Sequence, residues 1–346
     1  MTAPFRVGVT RDFLRPDGRL GFGDVGLGLF DGVPGLEWQF LDEDVRELRP
    51  DHVRECDALL VLAPRVTAAT LEGADRLTLI ARFGVGYDSV DVAACTRHGV
   101  LLTITPDGVR RPVALAVLTF LLALSHKLLV KDRLTRAGRW SEKADHQGTD
   151  VTGRTLGVIG LGNIGREVFA LAKPLGMRHL AHDPYSAAAV EGVEMVGLEA
   201  LLRESDFVCL CCALTPQTHH LIDEARLGLM KPTAYLINVA RGPIVDQKAL
   251  TQALANRRIA GAGLDVFEQE PITPDDPLLK LDNVILAPHA LSWTDGCFRA
   301  IGESACRSIL DVAAGRVPAN VVNRAVLDQP QLREKLARHA SRGTMP

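Results

Sequence analysis

The residues with the most chemistry to offer begin at Gly160-Leu161-Gly162-Asn163-Ile164-Gly165, a GxGxxG run that directly follows the β-rich segment TLGVI and opens the helical pattern REVFALAKPL. In that setting Gly160 permits a tight turn, Gly162 lets backbone approach a pyrophosphate, and Gly165 lets helix and strand pack closely. The helix N-terminus adds oriented N–H groups and a partial positive charge. The next β-rich run ends at Asp183, 18 residues after Gly165. That is close to the spacing of about 20 at which a carboxylate accepts hydrogen bonds from the ribose hydroxyls of adenosine. The bland alternative is a structural glycine turn followed by a surface aspartate. A carboxylate at this place repels a 2'-phosphate, and no Arg or Lys follows in Pro184-Tyr185-Ser186. The pattern therefore favours NAD over NADP.

Three further residues stand at the ends of apolar runs. Arg241 immediately follows TAYLINVA, Glu270 lies just beyond IAGAGLDVF, and His289 ends NVILAP. Arg can hold a carboxylate through two parallel hydrogen bonds and polarise the adjacent carbonyl, His can move a proton, and Glu can fix the imidazole in one tautomer and favour its charged form. Each alone could be a loop charge or a satisfied core histidine. Together, behind a dinucleotide loop, they make a complete set for hydride transfer.

These residues converge only if the runs that carry them are strands of one sheet. TLGVIG, RHLAHD, DFVCLCCAL, TAYLINVA, IAGAGLDVF and NVILAPH alternate with helical or loop segments, which predicts a six-stranded, doubly wound parallel sheet whose carboxyl edge binds ligands. Upstream, RVGVT (6–10), ALLVLA (58–63) and LTLIARFG (77–84) predict a first α/β unit. One long helix is expected over Ala114–Thr135, entered after Pro112 and stopped near Gly138, with Gly138–Asp150 as a polar linker. A last helix is expected over roughly 295–314, ending at Gly315, with a charged tail that frays beyond Asp328.

At 346 residues, and roughly 150 residues per domain, two domains are expected. Apolar residues at 47% and charged residues at 23% describe an ordinary globular chain. A balance of 39 basic against 42 acidic residues, net -3, leaves no electrostatic footprint for nucleic acid or an anionic membrane. The longest apolar run, Val113–Leu124, has 12 residues, short of the roughly 20 that a membrane helix needs. MTAPFRVGVTRDF has no signal-peptide character, so the cytoplasm is the expected compartment and the seven cysteines are expected to stay reduced. Cys209, Cys211 and Cys212 alternate as in a buried strand rather than as a metal site, and no metal is expected.

Over roughly Ala58 to Asn323 the chain resembles the D-isomer-specific 2-hydroxyacid dehydrogenase family. GRTLGVIGLGNIGREV with HDP at 182–184, LTPQTHHLI, MKPTAYLINVARGPIVDQKAL, AGLDVFEQEP and NVILAPHALSWT look like its signatures in order, and RFGVGYDSVD with VVN at 321–323 looks like those of its substrate domain. The resemblance implies a Rossmann-type NAD-binding domain (106–295) inserted into a discontinuous, flavodoxin-like α/β substrate domain (1–105 plus 296–328), with a tail (329–346). It also implies a homodimer acting on a 2-oxo or 2-hydroxy acid, with glyoxylate and hydroxypyruvate the first substrates to test. Carried over by motif, Arg241 would bind the substrate carboxylate, Glu270 would partner the histidine and His289 would be the acid/base. Backbone N–H groups near Val85 and Gly86 would meet the carboxylate. Besides Gly160, Gly162, Asn163, Ile164, Gly165 and Asp183, the residues Cys212, Ala213, Thr218, Val239, Ala240 and Asp265 would line the cofactor.

The chain departs from the family pattern in three places. After TITPDGV it reads Arg110-Arg111-Pro112, two arginines that could hold a second anionic group on the substrate or could be ion-paired within the protein. Ala213 replaces a proline common in the PLTPET-like segment. Trp293, four residues past His289, could wall a substrate pocket or simply pack against other aromatics. A binding protein of the same fold that senses NAD(H), like a corepressor, is the competing reading, and the presence of Arg241, Glu270 and His289 favours the enzyme. Glu270 also argues against formate dehydrogenase-like chemistry, where an uncharged residue partners the histidine.

Overall fold

The computed structural model describes residues 3–186 and 190–341. They form two compact units, one running to Val109 and resuming at Trp293, the other spanning Arg110–Ser292.

The first unit is built on five parallel strands, β1 (Phe5–Val9), β2 (Leu36–Phe40), β3 (Ala58–Val61), β4 (Leu79–Arg82) and β5 (Leu101–Thr103), in the order β2-β1-β3-β4-β5. This is the flavodoxin-like order of a doubly wound sheet. The central strand β3 is buried throughout, as strands covered on both faces must be, so it reads as an unbroken apolar run. β2 and β5 were not foreseen. β2, LEWQF, is a half-exposed edge strand, and β5 has only three residues, too few to show a period. Asn323 ties the returning chain to β5: its side chain accepts from Leu102 N–H (2.9 Å) and donates to Val100 C=O (2.9 Å).

Through Ala340, the segment beyond Asp328 is helical rather than frayed. Pro330–Ala340 is a helix whose buried stripe is Leu332, Lys335, Leu336 and His339. A lysine and a histidine in that stripe disguise its helical period in the sequence. Lys335 donates to Leu77 C=O (2.7 Å) and His98 C=O (2.9 Å), and burial pushes its ammonium down to about 8. Residues 342–346 of the expected tail lie outside the described residues.

The second unit holds seven parallel strands: β6 (Thr155–Ile159), β7 (Arg178–His182), β8 (Val193–Met195), β9 (Phe207–Leu210), β10 (Tyr235–Asn238), β11 (Gly261–Leu264) and β12 (Val284–Leu286). Their order is β12-β11-β10-β9-β6-β7-β8. From the β8 side this is the Rossmann order 3-2-1-4-5-6 with one more strand, and the order reverses between β6 and β9. Six strands were expected. The seventh, β8, is a three-residue, largely exposed edge strand. Alternate residues feed two cores, Val208, Leu210 and Leu236 on one face and Phe207, Cys209 and Ile237 on the other.

The single helix expected over 114–135 is two helices, Pro106–Ser125 and Leu128–Arg136, separated by Lys127 in a left-handed conformation (φ 52°). Thr149 N–H donates to Ser125 C=O (2.7 Å), so a residue 24 positions onward occupies the carbonyl that would continue the ladder. Pro106 starts the first helix, as proline does well, and Pro112 lies inside it rather than ahead of it. This helix is long and apolar enough to cross a membrane by length and composition, but Ala114, Val117, Phe120, Leu121 and Leu124 are buried in the core of the second unit. The expected linker contains a 3-10 helix, Trp140–His146.

Candidate active site

Because all seven strands of the second unit are parallel, their carboxyl ends share one edge, and the residues singled out above emerge there from successive strands. β6 leads through Gly160 into the helix Asn163–Ala172. A Cβ on Gly165 would lie 2.1 Å from Gly160 C=O, so only glycine permits this close packing, whereas a Cβ on Gly162 would meet nothing within 4 Å. The open space over Gly162, facing a helix N-terminus, fits a pyrophosphate. Asp183 follows β7, and its Oδ2 accepts from Leu161 N–H (2.8 Å) while Oδ1 accepts from Tyr185 N–H (2.9 Å). The carboxylate is thus fixed against the glycine loop, with lone pairs left to accept from ribose hydroxyls. These residues fit the nucleotide that the loop implies.

One correction applies here. The residues after Asp183 carry no cation, but Arg166, on the helix after the glycine loop, donates to Ser186 Oγ (3.0 Å). That cation comes from a helix 20 residues upstream in the sequence, so the residues following Asp183 do not reveal it.

β9 leads to Cys212, whose thiol burial pushes up to about 11. Ala213 is exposed and closes a turn in which Thr218 Oγ1 donates to Ala213 C=O (2.7 Å). β10 ends at Asn238, a residue not singled out by any motif. Its buried amide donates to Arg241 C=O (3.0 Å) and accepts from Ala240 N–H (3.0 Å), clamping the turn Val239-Ala240-Arg241. The only signal was an amide closing an otherwise apolar strand. Arg241 donates from Nη1 to Ala240 C=O (2.7 Å).

Asp265 follows β11 and accepts from Ala290 N–H (2.9 Å) and Leu291 N–H (3.1 Å). Burial raises its carboxyl above the ordinary value against those bonds. Asp265 therefore holds the segment just after His289. His289 Nδ1 lies 2.8 Å from Glu270 Oε2, and Glu270 Oε1 accepts from Phe267 N–H (3.0 Å). Burial works to raise the Glu270 carboxyl, but the His289 and Phe267 hydrogen bonds and the charges of His289 and Arg241 outweigh it and hold it below its usual value. The ionised carboxylate accepts from Nδ1–H, which leaves Nε2 of His289 as the ring nitrogen free for chemistry. His289 itself has φ 54°, a left-handed backbone that non-glycine residues keep where surrounding contacts enforce it, often at functional sites.

Other expected residues lie elsewhere. Val85 and Gly86 belong to the first unit, in the loop after β4. That loop is pinned by reciprocal bonds between Gly84 and Thr105, Gly84 N–H to Thr105 Oγ1 and Thr105 N–H to Gly84 C=O, both 3.0 Å. Arg110 and Arg111 both face Glu167, at 3.6 and 3.1 Å, so the two guanidiniums share one carboxylate within the second unit. Trp293, 50% exposed, packs edge-on against Phe22 and Phe298 at 5.3 and 5.2 Å between centroids.

The family model described as D-isomer specific 2-hydroxyacid dehydrogenase, NAD binding domain, matches residues 118–290. Among curated proteins, the glyoxylate reductase of Korarchaeum cryptofilum is 45% identical over 285 residues, covering 80% of this chain and 86% of that protein. The glyoxylate reductase of Thermococcus onnurineus is 42% identical over 301 residues, covering 84% and 90%. Among solved structures, D-lactate dehydrogenase from Aquifex aeolicus, complexed with NAD and lactic acid, superposes with a TM-score of 0.80 at 28% identity, covering 92% of this chain and 99% of that one.

Proposed function

The chain belongs to the D-isomer-specific 2-hydroxyacid dehydrogenase family, and from that premise we propose that it reduces a short 2-oxo acid such as glyoxylate or hydroxypyruvate, using Arg241, Glu270 and His289. It is an NAD-dependent oxidoreductase that interconverts a 2-hydroxy acid and its 2-oxo acid. The observation that carries the residue-level reading is the His289–Glu270 contact at 2.8 Å, held at the sheet edge that also presents Arg241 and the glycine loop.

Bound NAD(H) supplies or accepts the hydride. The chain's own residues do the rest. Arg241 pairs with the substrate carboxylate and draws electron density from the neighbouring carbonyl. His289 gives a proton from Nε2 to the carbonyl oxygen during reduction and takes it back during oxidation. Glu270 holds the imidazole by Nδ1 and stabilises its charged form. A corepressor-like binding protein would not need this assembled triad.

The ion pairing of Arg110 and Arg111 with Glu167 supports a monocarboxylic substrate over a dicarboxylic one. NADH-linked assays on glyoxylate, hydroxypyruvate and 2-oxoglutarate test this, with the first two expected to be the better substrates. A clear preference for 2-oxoglutarate would overturn it.

Asp183 is expected to set the nucleotide preference by accepting from the ribose 2'-OH and repelling a 2'-phosphate. Asp183→Ala should lower kcat/KM for NADH and raise it for NADPH, the latter helped by the nearby Arg166. A mutant that keeps the full NADH preference would remove Asp183 from this role.

The homodimer reading is supported by exposed apolar side chains on the two consecutive helices and the segment after them, Leu115, Leu122, Leu128, Leu129 and Trp140, a pattern typical of a surface that another protein covers. All seven cysteines are free, which supports a reducing compartment such as the cytoplasm.

A further inference from the structure

We propose that His220 and Glu268 form a positioning pair that fixes the loop carrying Arg241 relative to the loop carrying Glu270, an inference that rests on the roles given to those two residues above. The two loops follow different strands, β10 and β11, and nothing in the sheet ladder sets their mutual register beyond the strand ends. His220 touches both. Its backbone N–H donates to Pro243 C=O (2.8 Å), two residues past Arg241. Its ring Nε2 meets Glu268 Oε1, two residues before Glu270.

The surrounding contacts leave this bridge little slack. Ile222 N–H donates to Ile244 C=O (3.0 Å) and Asp246 N–H donates to Ile222 C=O (3.0 Å), so the His220 segment runs alongside the chain that leaves Arg241. On the other side, Glu268 N–H donates to Gln247 Oε1 (3.1 Å). Where the loops abut, a Cβ on Gly242 would lie 1.9 Å from Phe267 C and O, so backbone touches backbone between Arg241 and Glu268. Phe267 N–H in turn donates to Glu270 Oε1. A continuous set of contacts thus runs from the Arg241 loop through His220 and Glu268 to Glu270 and His289.

The backbone of His220 points the same way. Its φ is 49°, a left-handed conformation that histidine adopts more readily than most side chains but that is still uncommon outside glycine. The His219 ring stacks on it at 4.1 Å between centroids. In the sequence the pair was invisible, because LTPQTHHLI and DVFEQEP lie 48 residues apart at this contact.

Neither residue is catalytic on this reading. Without the pair, the guanidinium and the imidazole could each be correctly built yet misplaced relative to one another, and a displacement of about 1 Å can cost on the order of a hundredfold in rate. The glycine loop and Asp183, assigned above to the nucleotide's phosphates and adenosine ribose, lie on other loops, so NADH affinity should change far less than kcat.

The test uses the full-length protein and compares wild type with His220→Gly, Glu268→Ala and the double variant. Glycine is chosen because it removes the ring while accepting the left-handed backbone. Each single variant is expected to lose about tenfold or more in kcat for a 2-oxo acid. The double should be no worse than the worse single, and the NADH dissociation constant, read by fluorescence, should stay within about twofold. His220→Gln, which keeps a donor near the Nε2 position, should recover most of the loss. Wild-type kcat in either single variant, additive losses in the double, or a loss of NADH affinity matching the loss of kcat would each overturn the proposal. If His220→Gly does not fold, Glu268→Gln against Glu268→Ala carries the same test: the amide retains an acceptor and should keep activity that alanine loses, and equal activities would overturn it. Arg241→Ala separates the two readings. An active Arg241→Ala removes the premise, whereas an inactive one beside a fully active His220→Gly removes the positioning pair alone.

Discussion

Arg241→Ala is expected to lower kcat/KM for a 2-oxo acid by roughly 30-fold to several thousandfold while leaving NADH affinity nearly unchanged. The magnitude follows from losing one partner of a hydrogen-bonded charge pair, roughly 2–5 kcal/mol when the pair is desolvated. The selectivity follows from where Arg241 sits. It lies after β10, in a turn clamped by Asn238, whereas the glycine loop and Asp183 follow β6 and β7. Lysine at this position should restore little, because a point charge cannot reproduce the bidentate fork. Steady-state kinetics with a fluorescence titration of NADH separates the two effects. A variant that loses NADH affinity but keeps near-normal turnover would contradict the role.

The second large effect concerns the proton. His289→Gln should lower kcat by roughly 10²–10⁴, the usual contribution of a positioned acid or base, and the two reaction directions should respond to pH with opposite sign. Reduction needs imidazolium and falls as pH rises, whereas oxidation needs neutral imidazole and falls as pH drops. Glu270 is held below its usual value, so its carboxylate is present at neutral pH and is lost only as pH falls through that lowered value. That negative charge, 2.8 Å from Nδ1 of His289, is what a neutral amide removes. Glu270→Gln should therefore move the reduction profile toward lower pH. Parallel profiles for the two directions would remove His289 as the proton carrier, and an unmoved profile in Glu270→Gln would leave Glu270 as a loop charge.

Much of the candidate site is legible in the sequence because its parts are locally encoded. A glycine loop needs its glycines in one place, and Arg241, Glu270 and His289 each follow an apolar run long enough to be recognised. The fold class followed from the same runs. What was not legible depends on contacts between distant segments. The break at Lys127 coincides with the Thr149 hydrogen bond to Ser125, the partner of Arg110 and Arg111 is Glu167, and the cation on Ser186, three residues past Asp183, is Arg166. The strands β2, β5 and β8 were missed because three to five residues at a sheet edge, some half-exposed, carry no clear period. The helix Pro330–Ala340 was missed because two of its buried positions are Lys335 and His339, residues whose polarity argues for solvent until Leu77, His98 and Thr78 are found to satisfy them.

On the reading proposed above, the chain transfers hydride between NAD(H) and a 2-oxo acid, with Arg241 binding the carboxylate and the His289–Glu270 pair handling the proton. The most direct test is to incubate hydroxypyruvate with NADH and the wild-type protein, follow NADH absorbance, and resolve the product by chiral chromatography, with Arg241→Ala run in parallel. The expected product is D-glycerate, formed one for one with NADH consumed, with almost none from Arg241→Ala. L-glycerate, or equal product from wild type and Arg241→Ala, would contradict it.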